Sequence, residues 1–168
     1  MTQVLIAGIG NSSLGDDGFG VEVVRRLASE PLPKGVRLAD FGDRRLGHEA
    51  LDGDYERVIV VDSTPRGGEP GTVYISCPDP ANFDAIRDRA TDGYGARSRA
   101  LFSILRSVRS SSGRLLVVGC EPKVINEQAG LTPPVKAAVD EAVELVLAAL
   151  AAESIPVGGR ARGDKPLA

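Results

Sequence analysis

The residues best placed to do chemistry in this chain are acids that stand at the ends of apolar runs. Asp16 and Asp17 follow the opening run Val4-Leu5-Ile6-Ala7 across the glycine-rich stretch GIGNSSLGDDG. Asp40 closes a second run, Asp62 directly follows Val58-Ile59-Val60-Val61, and Glu121 comes after Leu115-Leu-Val-Val118-Gly-Cys120. Carboxylates gathered in one place need a cation, a shared proton or water to hold them. Binding a divalent metal and activating water are the chemistries such a set supports. Nucleophilic catalysis from Ser12, Ser13 or Cys120 lacks an assured base, because the only histidine is His48. A plainer role for Asp16 or Asp17 is helix capping, in which a carboxylate accepts first-turn N–H groups and stabilises the helix by about 0.5–2 kcal/mol. One acid suffices for a cap, and two in succession exceed the need. Asp62 has its own plain role, bracing the turn after its strand.

The elements that must position these acids alternate between two periods. Val4–Ala7, a stretch around Val36 and Leu38 ending at Asp40, Val58–Val61 and Leu115–Val118 read as strands. Four consecutive β-branched residues at Val58–Val61, apolar throughout, predict a strand covered on both faces. Phe19, Val23 and Leu27 repeat every four residues with Val24 beside them, which predicts a helix stopped by Pro31 and Pro33. Thr72–Ser76 is short and reads as an edge strand. Arg45 to Leu51 suits a short helix, residues 77 to 95 a long loop, and Ser98 to Val108 a further helix with Leu101, Ile104, Leu105 and Val108 on one side. The last helix is the clearest. Thr132 can cap it, Pro133 fits its first turn, and Val135, Val139, Ala142, Val146 and Leu150 form an apolar stripe.

Alternating strands and helices predict a three-layer α/β/α sandwich with a twisted, mostly parallel central sheet. The expected boundaries are one domain over residues 1–153 and a disordered tail over 154–168, where IPVGGRARGDKPLA has no amphipathic period. In such sheets ligands bind beyond the carboxyl ends of the strands. The acids named above all fall on that edge.

With 168 residues, 42% of them apolar, the chain has material for one real core. Lys and Arg total 20 against 23 Asp and Glu, and this net charge of -3 argues against nucleic acid as a partner. The opening MTQVLIAGIG has neither a basic leader nor a long apolar run, and no stretch is apolar enough to span a membrane. A cytoplasmic monomer is the expectation. Cys77 and Cys120 lack the spacing of a redox or zinc motif and read as free thiols. The stretch GIGNSSLG matches a dinucleotide-binding loop poorly. The third glycine of that fingerprint would fall on Ser13, and a pyrophosphate at the following helix would meet Asp16 and Asp17. No GKS or GKT is present, which excludes a Walker-type phosphate loop.

Taken together, Gly8-Ile-Gly-Asn11 with Leu14-Gly-Asp-Asp-Gly-Phe-Gly20, Asp40-Phe-Gly42, Val58-Ile-Val-Val-Asp62, PRGGEPGTVY, Val118-Gly-Cys-Glu-Pro122 and Gly130-Leu-Thr-Pro-Pro-Val135 resemble the nickel-iron hydrogenase maturation endopeptidases. The resemblance spans nearly the whole chain apart from the tail. It implies an endopeptidase that removes the C-terminal extension of the hydrogenase large-subunit precursor once nickel has been inserted. It implies Asp17 and Asp62 as catalytic and metal-holding carboxylates, with Asp16 beside the first. The nickel arrives with the substrate, and no organic cofactor is implied. The third family ligand is a histidine, and Tyr94 stands at the matching position here. A phenol with a pKa near 10 is a poor substitute for neutral imidazole, so Tyr94, His48, Glu121 and water all remain open for that direction. Metal-assisted and aspartate-type peptide hydrolysis are both open. Two further readings stand beside the peptidase: a non-catalytic, metal-sensing maturation chaperone of the same fold, and a dinucleotide-binding protein.

Overall fold

The computed structural model describes residues 3–42, 53–78, 104 and 114–152. The strands β1 (Val4–Gly8), β2 (Val36–Asp40), β3 (Arg57–Ser63), β4 (Val73–Ser76) and β5 (Arg114–Cys120) form one sheet in the order β2-β1-β3-β5-β4. The pairs β1–β2, β1–β3 and β3–β5 are parallel, whereas β4 runs antiparallel to β5 at the sheet edge. The central strands β1 and β3 are buried along almost their whole length, as their unbroken apolar sequences require.

Two helices cover one face. Helix α1 (Phe19–Leu27) presents Phe19, Val23, Val24 and Leu27, and helix α2 (Pro133–Ala151) presents Val135, Val139, Ala142 and Val146. They bury Ile6, Ile59, Val61, Leu116 and Val118 of the sheet in one continuous core. Alternation along the strands sends Leu5, Ala7, Val58, Val60 and Leu115 to the opposite face, where they are buried with Tyr55 and Ile104. Ile104 belongs to the helix expected over 98–108; it is helical and fully buried. The architecture is the expected three-layer α/β/α sandwich with a mostly parallel sheet. Among the described residues no helix is long and apolar enough to cross a membrane.

Strand ends differ from the sequence reading in a way that matters for the site. Asp62 lies within β3 rather than after it, and β5 continues through Gly119 and Cys120. Pairing provides the reason: Asp62 stands opposite Gly119 and Ser63 opposite Cys120, while β4 pairs Tyr74 with Gly119 from the other side. Gly119, which follows the apolar run, is required there because a Cβ would strike the Thr64 side chain. One anchor left no signal in the sequence. Arg57 at the start of β3 donates to the carbonyls of Ala149 and Ala152, and so closes the C-terminal turn of α2. The short helix of 45–51, most of the 77–95 loop, the rest of the 98–108 helix and the 154–168 tail lie outside the described residues.

Candidate active site

At the carboxyl edge the chain leaves β1 and passes through the glycine-rich stretch to a single 3-10 turn, Gly15–Gly18, that leads into α1. The glycines at both ends of this connection are contact points. A Cβ on Gly20 would strike the carbonyls of Val61 and Ile9, and one on Gly8 would strike the Gly20 carbonyl. The first turn of α1 therefore rests directly on β1 and β3. Gly10 adopts φ 140°, and a side chain there would run into the Asp17 carbonyl. The loop folds back at Gly10 and is held by the Asn11 amide on Asp17 and the Ser13 amide on the Asn11 side chain, which sets Asp17 beside the strand ends.

Asp17 is 5% exposed. Its Oδ2 accepts the Asn11 N–H at 3.0 Å and its Oδ1 accepts the Ser63 hydroxyl at 3.2 Å. Asp62, half-buried, accepts the N–H of Ser63 at 2.8 Å through Oδ1. Strand alternation puts Asp62 on the face of Val58 and Val60 and Ser63 on the face of Ile59 and Val61. Ser63 thus links the acids predicted for catalysis, touching Asp17 with its hydroxyl and Asp62 with its amide. The sequence reading missed this serine. The signal was present in the two-residue period of β3, which turns position 63 toward α1 while position 62 faces away.

Asp16 is fully buried. Its Oδ2 accepts the N–H groups of Lys123 at 2.8 Å and Val124 at 3.0 Å, and its Oδ1 accepts the Thr132 N–H at 2.7 Å. The Thr132 hydroxyl sits 3.0 and 2.8 Å from its two oxygens. Burial alone would push this carboxyl up, but the donors from Thr132, Val124 and Lys123 outweigh it and hold the group below the ordinary carboxylate range. The N-cap positions of the 3-10 turn and of α1 fall on Leu14 and Gly18, not on either acid. Asp16 bonds to the loop of residues 123–132 rather than to the start of its own helix, which replaces its capping role. Thr132 does occupy the N-cap position of α2, yet its hydroxyl turns to Asp16 instead of to its own helix.

The remaining candidates are committed elsewhere or outside view. Glu121 accepts the amides of Arg66 and Gly67 at 2.8 and 3.2 Å and the Tyr74 hydroxyl at 2.9 Å. It holds the PRGGEPG turn, over which the Arg66 guanidinium lies 4.8 Å from the Tyr74 ring. Asp40 accepts the Gly42 N–H at 2.8 Å. Cys120 is buried, and desolvation together with the charges of Asp16, Glu121 and Glu141 pushes its thiol up to about 12. It is protonated at neutral pH and unfit as a nucleophile. The Ser12 hydroxyl is sealed from solvent, with no partner among the described residues. His48 and Tyr94 lie outside the described residues. Among those described, no three His, Cys, Asp or Glu residues form a metal-binding group.

Two concavities flank these elements. A cleft of about 400 Å³ lies beside the 3-10 turn, between Gly15 and Gly18 on one side and Ala129–Leu131 on the other. A larger cavity of about 630 Å³ is lined by Val4, Val36, Arg57 and Arg114, at the amino ends of the strands. Size does not make it the site, because the loops carrying the acids are at the other end of the sheet. A pyrophosphate at the start of α1 would meet the turn that carries Asp16 and Asp17.

Residues 21–149 match the family model of the hydrogenase maturation proteases. The chain belongs to that family. It is a peptidase, a maturation endopeptidase of the hydrogenase large-subunit precursor. The hydrogenase 2 maturation protease of Escherichia coli is 32% identical over 167 residues, spanning 92% of this chain and 96% of that protein. The crystal structure of a hydrogenase 2 maturation peptidase from a Thaumarchaeota archaeon is 35% identical and superposes with a TM-score of 0.67, covering 89% of this chain and 98% of that one. The E. coli hydrogenase maturating endopeptidase HybD superposes with a TM-score of 0.72 at 29% identity, covering 89% and 93%.

Proposed function

We propose that this maturation endopeptidase cleaves the C-terminal extension from a large-subunit precursor that already carries nickel, and that Asp17 and Asp62 are the carboxylates that engage the metal. The nickel is part of the substrate. A client without it offers no cation for the acids to hold, so metal insertion gates cleavage. The observation that supports this reading is the placement of both acids at the carboxyl edge of the sheet, with Asp17 bonded to the hydroxyl of Ser63, the residue that follows Asp62. From the carboxyl edge the two acids would hold the client through its metal, and the metal or a carboxylate would supply activation of water against the scissile carbonyl. Two carboxylates leave a divalent ion short of ligands, and a third donor comes from the client, from water, or from Tyr94 or His48. Two free thiols, Cys77 and Cys120, suit the reducing cytoplasm.

The test replaces either acid by its neutral amide. Asp17→Asn and Asp62→Asn are each expected to abolish shortening of a nickel-loaded precursor, followed by gel mobility and mass, while the circular dichroism of the fold is kept. Wild-type rates in either variant would remove that residue from the site.

A further inference from the structure

We infer that Asp16 is a positioning residue of the peptidase: a clasp that fixes the turn carrying Asp17 against the loop of residues 121–132. This rests on the assignment of Asp17 to the reacting site. A fully buried carboxylate is costly unless its lone pairs are used. Here all the partners found are donors from residues more than a hundred positions away: the amides of Lys123, Val124 and Thr132 and the Thr132 hydroxyl. The turn returns the contact. Gly15 N–H donates to the Gln128 carbonyl at 2.7 Å and Asp16 N–H to the Val124 carbonyl at 3.0 Å.

These bonds do what a cap would otherwise do. The 3-10 turn has no side-chain cap, so its leading amides are satisfied by the opposite loop, and the turn is only as fixed as that loop. Thr132 likewise forgoes capping α2 in order to reach Asp16. A local preference given up for a long-range contact marks a position where geometry matters more than helix stability. Both walls of the 400 Å³ cleft, Gly15–Gly18 and Ala129–Leu131, flank the clasp. Asp16 therefore governs where Asp17 stands and how far apart the cleft walls lie. An asparagine of the same size would turn an amide N–H toward one of its donors, and the turn would shift.

The test compares wild type, Asp16→Asn, Thr132→Val and Thr132→Ser on nickel-loaded precursor, at a temperature where melting curves show every variant folded. Asp16→Asn is expected to lower kcat about tenfold to a hundredfold, the range that a displacement of about 1 Å costs. Thr132→Val is expected to lower it less, and Thr132→Ser, which keeps the hydroxyl, to restore it. A structural role alone would lower the melting temperature and leave kcat of the folded enzyme unchanged. Wild-type kcat in folded Asp16→Asn and Thr132→Val, with Asp17→Asn inactive, would overturn the clasp and leave the peptidase site standing. Full activity of Asp17→Asn would instead overturn the site, and the clasp with it.

Discussion

Asp16 and Asp17 are neighbours of one type with opposite employment. Asp16 accepts amides and a hydroxyl from the loop of residues 123–132, whereas the bonds of Asp17 include the Asn11 amide and the Ser63 hydroxyl at the edge of the sheet. Nothing in the dipeptide itself distinguishes them. The difference arises from the 3-10 turn, which rotates one side chain into the 121–132 loop and the other toward Ser63. A pH effect follows from the depressed carboxyl of Asp16. Its folded form holds protons less tightly than its unfolded form, so the stability it contributes is present above the ordinary carboxylate value of about 3.9 and is lost as pH falls through the lower folded value. Asp16→Ala is expected to cost about 3 kcal/mol at neutral pH, as buried donors lose their acceptor, or roughly 6–12 °C in Tm. Thermal melts from pH 7 to pH 2.5 should show that gap narrowing on the acid side. A gap that stays constant or widens there would contradict the account of Asp16.

At the scale of elements, the connection from β1 to α1 is a hinge of glycines that has no freedom left. Gly10 holds a positive φ with the Asp17 carbonyl where a side chain would be. Gly10→Ala is therefore expected to strain the turn by about 1–3 kcal/mol and to reduce precursor processing more than tenfold, measured by melting and by rate. Intact processing would show that the turn can shift without moving Asp17. The strands and both described helices were legible in the sequence because their apolar periods are strong and Pro31, Pro33 and Pro133 punctuate them. The ends of β3 and β5 were not. Parallel pairing carries both strands past the last apolar residue, and only the register reveals it. Thr132 was legible as an N-cap position, but the partner of its hydroxyl was not, since Asp16 is distant in the chain. Asp17 and Asp62 could be read as candidates from their places after apolar runs. Ser63 and the fate of Glu121 needed the fold.

For the whole molecule, a parallel sheet delivers acids from remote segments to one edge, and the α1–α2 layer fixes the loops above it. The large cavity at the amino ends of the strands has volume without this convergence. Charge of -3 spread over the chain gives no steering toward polyanions. What selects the substrate, in this account, is a cation already seated in the client and met by Asp17 and Asp62. The dinucleotide reading loses its basis in the membership of the peptidase family and in the two acids at the start of α1. The chaperone reading differs from the peptidase in one outcome, binding of a nickel-bearing client without shortening it. The most direct measurement compares wild-type protein on the same precursor with and without nickel, scored by the mass of the large subunit. Shortening of the nickel-loaded form alone is the predicted result. Equal shortening of both forms would contradict the metal gate, and with it the role given to the two carboxylates.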